Sequence, residues 1–253
     1  METEILSKNN FKYIDMGQGA TIILLHGLMG SLSNFKSCID ELPKKGFRVI
    51  MPLLPIYDLP LLKTSASGLS NFLNEFTSEL GLDNFFLLGN SLGGHVGLIY
   101  TINFQRKIKG LIITGSSGLY ENALGGAFPK RGDYNFIKNK TEEVFYDPKC
   151  AKKSLVDEVF ETVNNRKKLI KILAMAKSAI RHNMKKELPK ISVPTCIIWG
   201  EDDKVTPPKV AEEFHNLIDS SQLFWIKKCG HAAMMEHPKK FNKILINWIH
   251  SLK

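Results

Sequence analysis

The stretch FFLLGNSLGG, residues 85–94, runs from four apolar residues directly into a glycine-rich segment with a single serine. Gly89, Ser91 and Gly93 match the pattern G-x-S-x-G, in which a buried strand turns sharply into a helix. The turn holds the serine hydroxyl above the edge of the sheet, and the glycines let neighbouring backbone approach. A five-residue pattern occurs by chance too often to identify a nucleophilic serine by itself. The preceding apolar run and the helical spacing that follows strengthen the prediction of a nucleophilic serine.

Five further apolar runs predict strands, at residues 21–27, 48–52, 110–115, 195–200 and 222–226. Because polar and apolar residues do not alternate in them, both faces of each predicted strand are buried, as in a parallel sheet. Segments with helical spacing separate the strands, at residues 33–46, 67–81, 91–103, 208–218 and 238–252. Strands that alternate with helices predict an α/β fold with right-handed crossovers.

The segment 117–189 interrupts this alternation, because it holds helical patterns such as 151–180 and no strand-like run of the same quality. We interpret it as a helical insertion over the sheet, with residues 1–116 and 190–253 forming the core. A chain of 253 residues with 43% apolar composition can bury one large core of this kind.

The sequence indicates neither stable membrane insertion nor secretion. No apolar run is long enough to span a bilayer, and the polar stretch METEILSKNNFKY (1–13) lacks the apolar centre of a secretory signal. The four cysteines are scattered and lack metal-type spacing, which argues against a disulfide framework. The expected location is the cytoplasm.

The net charge of +9 is concentrated in the predicted insertion, where residues 119–190 hold 16 lysines and arginines against nine acidic residues. Two interpretations stay open: a basic surface that attracts anionic substrates or membrane surfaces, and a solvated helical face. No aromatic residues alternate with the basic ones, so nucleic-acid binding is not predicted.

A serine hydroxyl becomes nucleophilic when a base lies within hydrogen-bond reach and a third group orients that base. Of the seven histidines, His231 is the strongest candidate, because it follows the last apolar run and is flanked by glycine and small alanines. His95 lies one helical turn beyond the serine and suits the core, and His237 suits a helix start. The polar faces of predicted helices hold His182, His215 and His250.

The orienting acid is expected directly after the predicted strand 195–200, where Glu201, Asp202 and Asp203 follow one another. At that place a carboxylate can meet a histidine that comes from the end of the next strand. Spacing alone does not choose between the two aspartates.

With these residues in place, the chain resembles the α/β-hydrolase superfamily, in which the serine, the acid and the histidine come in this order. The resemblance is carried by LLHGLMGS (24–31), LLGNSLGG (87–94), IIWGEDDKVTPP (197–208) and CGHAAMMEHP (229–238). It implies the α/β-hydrolase fold, a mostly parallel central sheet flanked by helices, with segment 117–189 as a helical cap over the active site.

The resemblance also implies residue roles. The acid would be Asp203, three residues after the strand-ending Gly200, and His26 would shape the loop after the first core strand. The backbone N–H groups of Leu28 and Leu92 would form the oxyanion hole.

A triad of Ser91, Asp203 and His231 would then cleave a small-molecule carboxylic ester or thioester through an acyl-enzyme. No metal and no organic cofactor is implied, because the triad supplies its own acid and base. The sequence does not indicate an oligomeric state.

Two other functions stay open. The carbon–carbon bond hydrolases of aromatic ring-cleavage pathways have a similar G-x-S-x-G turn, called the nucleophile elbow. They also have a cap arginine that binds a substrate carboxylate, and Arg166 would be its substrate-binding counterpart. Those enzymes often place a tryptophan after the histidine, where this chain has Ala232, and this difference favours the ester. The other alternative is a non-catalytic, ligand-binding member of the fold. If the basic insertion selects anionic substrates, charge reversal of Lys167 and Lys168 should raise the KM for anionic esters more than for neutral ones.

Overall fold

One sheet of eight strands organises the chain, for which a computed structural model describes residues 4–120 and 130–252. The strands are β1 (Leu6–Lys8), β2 (Phe11–Met16), β3 (Ala20–Leu25), β4 (Phe47–Pro52), β5 (Phe85–Asn90), β6 (Ile108–Thr114), β7 (Thr195–Gly200) and β8 (Ser221–Ile226). Their order in the sheet is β1-β2-β4-β3-β5-β6-β7-β8. The β1–β2 and β2–β4 pairs are antiparallel, and all pairs from β4 to β8 are parallel. The predicted α/β fold with a mostly parallel sheet is confirmed.

Helices connect the parallel strands, and two more follow β8. In the described residues these are α1 (Lys36–Glu41), α2 (Ala66–Glu79), α3 (Leu92–Phe104), α4 (Tyr134–Glu142), α5 (Lys153–Asn164), α6 (Arg166–Arg181), α7 (Pro208–Leu217), α8 (Ala233–Glu236) and α9 (Pro238–Ser251). Within the described ranges, no helix combines the length and apolar character that a membrane crossing requires.

The six strands predicted from apolar runs are present as β3 to β8, with ends that differ by at most two residues. The antiparallel strands β1 and β2 were not predicted. Every residue of β1 is at least partly exposed, and in β2 only Tyr13 and Ile14 are buried. Because these two antiparallel strands bury few residues, their sequences lack the continuous apolar run that marks the strands buried on both faces.

The helical pattern at 151–180 is two helices, because the chain turns at Asn165. Its backbone is extended (φ −78°, ψ 110°), and its side chain accepts hydrogen bonds from the backbone N–H groups of Lys167 and Lys168. Asparagine satisfies the unpaired donors of a helix start in this way and thereby begins α6.

Two hydrophobic clusters cover the two faces of the sheet, as the central strands show. In β5, Phe85 and Leu87 belong to one cluster, whereas Phe86 and Leu88 belong to the other. Alternate side chains of a strand point to opposite faces, so this strand is buried on both sides. Its end, and the ends of β7 and β8, lie at one edge of the sheet, where α/β folds place their ligands.

Between β6 and β7 the described chain contains three α-helices, α4, α5 and α6, and no strand. We call these three the cap helices. Ile137, Val159 and Val163, from α4 and α5, form a small hydrophobic cluster of their own. The boundaries 117 and 189 of the predicted insertion stay a prediction.

Candidate active site

Ser91 stands at the turn from β5 into α3, with a backbone conformation that side chains rarely adopt. Its φ is 55° and its ψ is −119°, and it occupies the position directly before the helix. Such a conformation costs free energy and persists only where the surrounding structure holds it. Its backbone N–H donates to Thr114 O at 3.1 Å, which ties the turn to the end of β6.

Close backbone contacts explain the glycines around Ser91. A Cβ atom on Gly93 would lie 2.1 Å from Leu25 O, and one on Gly89 would lie 2.3 Å from Gly93 O. A larger residue at either position would therefore push the end of β3 or the first turn of α3 away. The loop after β3 approaches as well, since a Cβ on Gly27 would lie 3.2 Å from Ser91 Cβ.

The carboxylate that meets the histidine belongs to Asp203, not to Asp202. Asp203 is buried and its Oδ2 lies 2.9 Å from His231 Nδ1, whereas Asp202 is exposed. The other oxygen, Oδ1, accepts the backbone N–H groups of Val205 at 2.8 Å and Thr206 at 2.9 Å. These bonds leave Oδ2 for the imidazole. Because an ionised carboxylate accepts from Nδ1–H, Nε2 is the nitrogen that can take up a proton.

Thr206 contributes a hydroxyl between the acid and the histidine, which the sequence analysis did not identify. Its Oγ1 donates to Asp203 Oδ2 at 2.9 Å and lies 3.2 Å from His231 Nδ1. Its carbonyl accepts from the indole of Trp199 at 2.9 Å, which anchors the loop on β7. A threonine three residues after an aspartate was the available signal, because such an aspartate often accepts hydrogen bonds from the turn that follows.

Contacts from three directions hold the loop of His231. The side-chain amide of Asn90 donates to His231 O at 3.3 Å and to Thr114 O at 3.0 Å. The backbone N–H of His231 donates to Val144 O, close after α4, at 2.8 Å. At the end of β6, Gly115 has a φ of +51°, and a Cβ there would lie 2.8 Å from His231 Nδ1. The loop of His231 is thus held from the turn at Ser91, the segment after α4 and the end of β6.

Ser91 and His231 line the same cavity. Among the described residues no hydrogen bond joins Ser91 Oγ directly to the imidazole. In enzymes without substrate such a contact is often long, and it tightens when substrate binds.

Leu28 and Leu92, the predicted oxyanion-hole residues, line this cavity together with Ser91. Leu92 is the first residue of α3, so its N–H group has no acceptor within the helix. The positive end of the helix dipole points to the same place and favours negative charge there.

The cavity has a volume of about 540 Å³, a size that suits a small organic molecule. Apolar side chains of the cap helices form much of its wall: Ile137, Leu155, Val159, Met175, Ala176, Ala179 and Ile180. Among the described residues, its charged lining residues are Lys140, Glu143 and Lys204. Lys140 and Glu143 form an ion pair of 2.7 Å. Within the described residues Lys204, which is exposed, forms no ion pair.

The structure does not bring Arg166 to the cavity. Arg166 is the exposed first residue of α6, and the cavity-lining part of that helix begins at Met175. Nine residues of helix separate them by about 14 Å along the axis. Lys167 is also exposed, and Lys168 Nζ lies 5.2 Å from the centre of the Tyr57 ring. None of these three residues lines the cavity, so the predictions for Arg166, Lys167 and Lys168 lack support from this geometry.

Other histidines near the elbow are buried rather than reactive. His95 is fully buried, and its Nε2 lies 3.1 Å from His182 Nδ1. Burial lowers the pKa of His95 to about 3, so it is neutral at working pH. Burial also lowers the pKa of His26, whose Nδ1 donates to Gly27 O at 2.8 Å. Within the described residues, no group of three or more histidine, cysteine or acidic side chains could hold a metal ion.

A model of the α/β hydrolase fold family matches residues 20–238. The chain belongs to the α/β hydrolase family. This α/β hydrolase is 47% identical to MGS-MChE2, an alpha/beta hydrolase enzyme from a sediment metagenome of the lagoon of Mar Chica, Morocco; the likeness covers 98% of both chains, with a TM-score of 0.81.

Among curated proteins, it is 28% identical to 2-hydroxy-6-oxononadienedioate/2-hydroxy-6-oxononatrienedioate hydrolase 1 of Pseudomonas putida, over 95% of this chain and 92% of that one. Its fold is also similar to that of the esterase EaEST from Exiguobacterium antarcticum, at 23% identity, with a TM-score of 0.83 and coverage of 99% and 100%. The predicted family, its fold and the expectation of a hydrolase are confirmed.

Proposed function

We propose that this α/β hydrolase cleaves a small-molecule carboxylic ester or thioester through an acyl-enzyme on Ser91, with His231 as the base and Asp203 as its orienting acid. One observation carries the proposal. The buried bond of 2.9 Å between Asp203 Oδ2 and His231 Nδ1 orients an imidazole that lines the same cavity as the strained elbow serine.

The first half of the reaction acylates the serine. His231 Nε2 takes the hydroxyl proton while Ser91 Oγ attacks the substrate carbonyl carbon, and the carbonyl oxygen becomes an oxyanion. The N–H groups of Leu28 and Leu92 bind this oxyanion, and Asp203 stabilises the imidazolium. Collapse of the tetrahedral intermediate breaks the carbon–oxygen or carbon–sulfur bond, and His231 gives its proton to the departing group.

The second half releases the acid. His231 takes a proton from water, the resulting hydroxide attacks the acyl carbon, and a second oxyanion forms in the same hole. Its collapse returns the electron pair and the proton to Ser91 Oγ and frees a carboxylic acid.

The cavity wall supports an apolar acyl group of modest size. The cap helices supply mostly aliphatic side chains, and we propose that they act as the cap that selects substrate shape. The cytoplasmic location stays a prediction, and all four cysteines are free thiols, as a reducing compartment would leave them.

Carbon–carbon bond hydrolysis is the second candidate, because the Pseudomonas putida relative is similar over nearly the full chain. Two features of the site favour the ester. Ala232 follows the histidine and lines the cavity without a bulky ring, and no arginine of the described residues lies on the cavity wall. A substrate carboxylate would have the cavity-lining Lys204 as its cationic partner.

A burst assay tests the ester proposal. We expect p-nitrophenyl acetate to give a burst of p-nitrophenol that equals the enzyme concentration, and Ser91→Ala to abolish both burst and turnover. A fluorophosphonate should label the wild type at Ser91 and leave the variant unlabelled. Turnover of a vinylogous diketo acid without ester hydrolysis would favour carbon–carbon cleavage. Ligand binding with neither activity would favour a binding protein.

A further inference from the structure

The carboxylate of Glu236, at the end of the short helix α8, accepts three backbone N–H groups. Its Oε1 accepts from Asp147 at 2.7 Å, and its Oε2 accepts from Gly230 at 2.7 Å and from Tyr146 at 3.2 Å. Hydrogen bonds from N–H groups to a carboxylate are stronger than those between neutral groups. Glu236 therefore joins two segments that are distant in the sequence.

The two segments are the stretch after α4 and the loop that carries the catalytic base. Tyr146 and Asp147 lie in the connection between α4 and α5, and Gly230 directly precedes His231. One more bond joins the same segments, because the His231 N–H donates to Val144 O at 2.8 Å. Both backbone N–H groups on the N-terminal side of the imidazole, at positions 230 and 231, are thus held by this junction.

The junction is tightly packed, so the two segments cannot approach each other further. A Cβ atom on Gly230 would lie 2.5 Å from Val144 O and 2.8 Å from Phe145 Cα. Loss of the carboxylate would therefore not be compensated by closer packing. The freed N–H groups would need water as a partner, and the histidine loop could move away from the cap helices.

Glu236 does not line the cavity, whereas Val144, Phe145 and His231 do. Its side chain thus acts on the reaction through the residues that it holds. We infer that Glu236 is a positioning residue that fixes His231 against the segment after α4, so that the geometry of the base depends on the position of the cap helices. This inference rests on the proposed triad.

A shift of the imidazole weakens proton transfer from the serine far more than it weakens substrate binding. Misplacement by about 1 Å can reduce a rate by about 100-fold. We expect Glu236→Ala to lower kcat for p-nitrophenyl acetate and the second-order rate of fluorophosphonate labelling by about 10- to 100-fold. KM should change by less than about threefold. Glu236→Gln keeps one acceptor oxygen and should show a smaller loss.

Rates are expressed per active site, titrated by complete fluorophosphonate labelling, because a purely stabilising residue would change only the active fraction and the melting temperature. The matched control is Glu213→Gln on α7, which removes the carboxylate that pairs with Lys185 at 2.8 Å. This control should label at the wild-type rate.

The outcome separates this inference from the proposed function. Slow labelling of Glu236→Ala per titrated site, with the control unchanged, supports the positioning role. Labelling of Glu236→Ala at the wild-type rate per site overturns the inference and leaves the triad standing. A wild-type enzyme that the fluorophosphonate does not label overturns the proposed function itself.

Discussion

The hydroxyl of Thr206 provides a sharp test of the site, because valine removes it with little change of shape. Thr206 is buried, and its Oγ1 donates to the same Asp203 oxygen that accepts from His231. Thr206→Val leaves the backbone N–H to Asp203 Oδ1 in place. The substitution therefore removes one donor from the acid and keeps the loop.

The magnitude follows from the number of bonds to the acid. A hydrogen bond to a charged group contributes about 1.5–3 kcal/mol, which corresponds to roughly 10- to 150-fold in a rate when the transition state needs it. Two backbone N–H groups still hold Oδ1 in the variant, so we expect a loss in kcat near the lower end, about 10- to 30-fold. Removal of the acid's charge by Asp203→Asn should cost more, on the order of 10⁴.

The assay is hydrolysis of p-nitrophenyl acetate per titrated active site, with Thr206→Ser as the matched control. Serine keeps the hydroxyl, so its kcat should stay within about threefold of the wild type. Equal activity of Thr206→Val and the wild type would refute a role for the hydroxyl. An equally large loss in Thr206→Ser would show that the methyl group matters instead. Melting temperatures identify a variant that has simply unfolded.

Two further predictions concern charge. Lys204→Glu should lower kcat/KM for an anionic ester, such as a p-nitrophenyl dicarboxylate monoester, about three- to tenfold more than for a neutral ester of equal length. Lys167→Glu, outside the cavity, should lower kcat/KM equally for the anionic and the neutral ester. The reverse pattern would contradict the proposal that Lys204 contacts an anionic group of the substrate. His95 has its pKa lowered from 6.5 to about 3, so between these values the unfolded state binds more protons, and stability rises with pH. From pH 7 to pH 5 the wild type should lose about 2 kcal/mol of unfolding free energy through this group. Urea unfolding at both pH values should show a smaller loss in His95→Gln. Equal losses in the two proteins would refute this contribution of His95.

Local pattern was sufficient to predict the parallel part of the fold and the sharp turn at Ser91. A strand buried on both faces has a continuous apolar sequence, so β3 to β8 could be predicted. The strained turn at Ser91 needs small neighbours, so the glycines at 89 and 93 marked it. The antiparallel strands β1 and β2 carry no such pattern, because each buries little surface.

The choice of the acid and the residues that line the cavity, in contrast, do not follow from local sequence patterns. Asp202 and Asp203 are chemically identical neighbours in the sequence, and only the fold buries one of them against His231 while the other faces solvent. The family resemblance favoured Asp203, the neighbour that contacts His231, whereas spacing alone did not choose between the two.

Sequence alone determined the alternation of strands and helices, the turn at Ser91, the histidine in the loop before the last helices, and the resemblance to the α/β-hydrolase superfamily. Each motif that carries these features consists of residues close together in the chain. Tertiary structure alone decided that Thr206 and Glu236 hold the acid and the histidine loop, and that Lys204 rather than Arg166 faces the cavity. The contact of Thr206 with His231 and those of Glu236 with Tyr146 and Asp147 join segments that are distant in the sequence. No local periodicity records which side chains a sheet edge and three helices bring together.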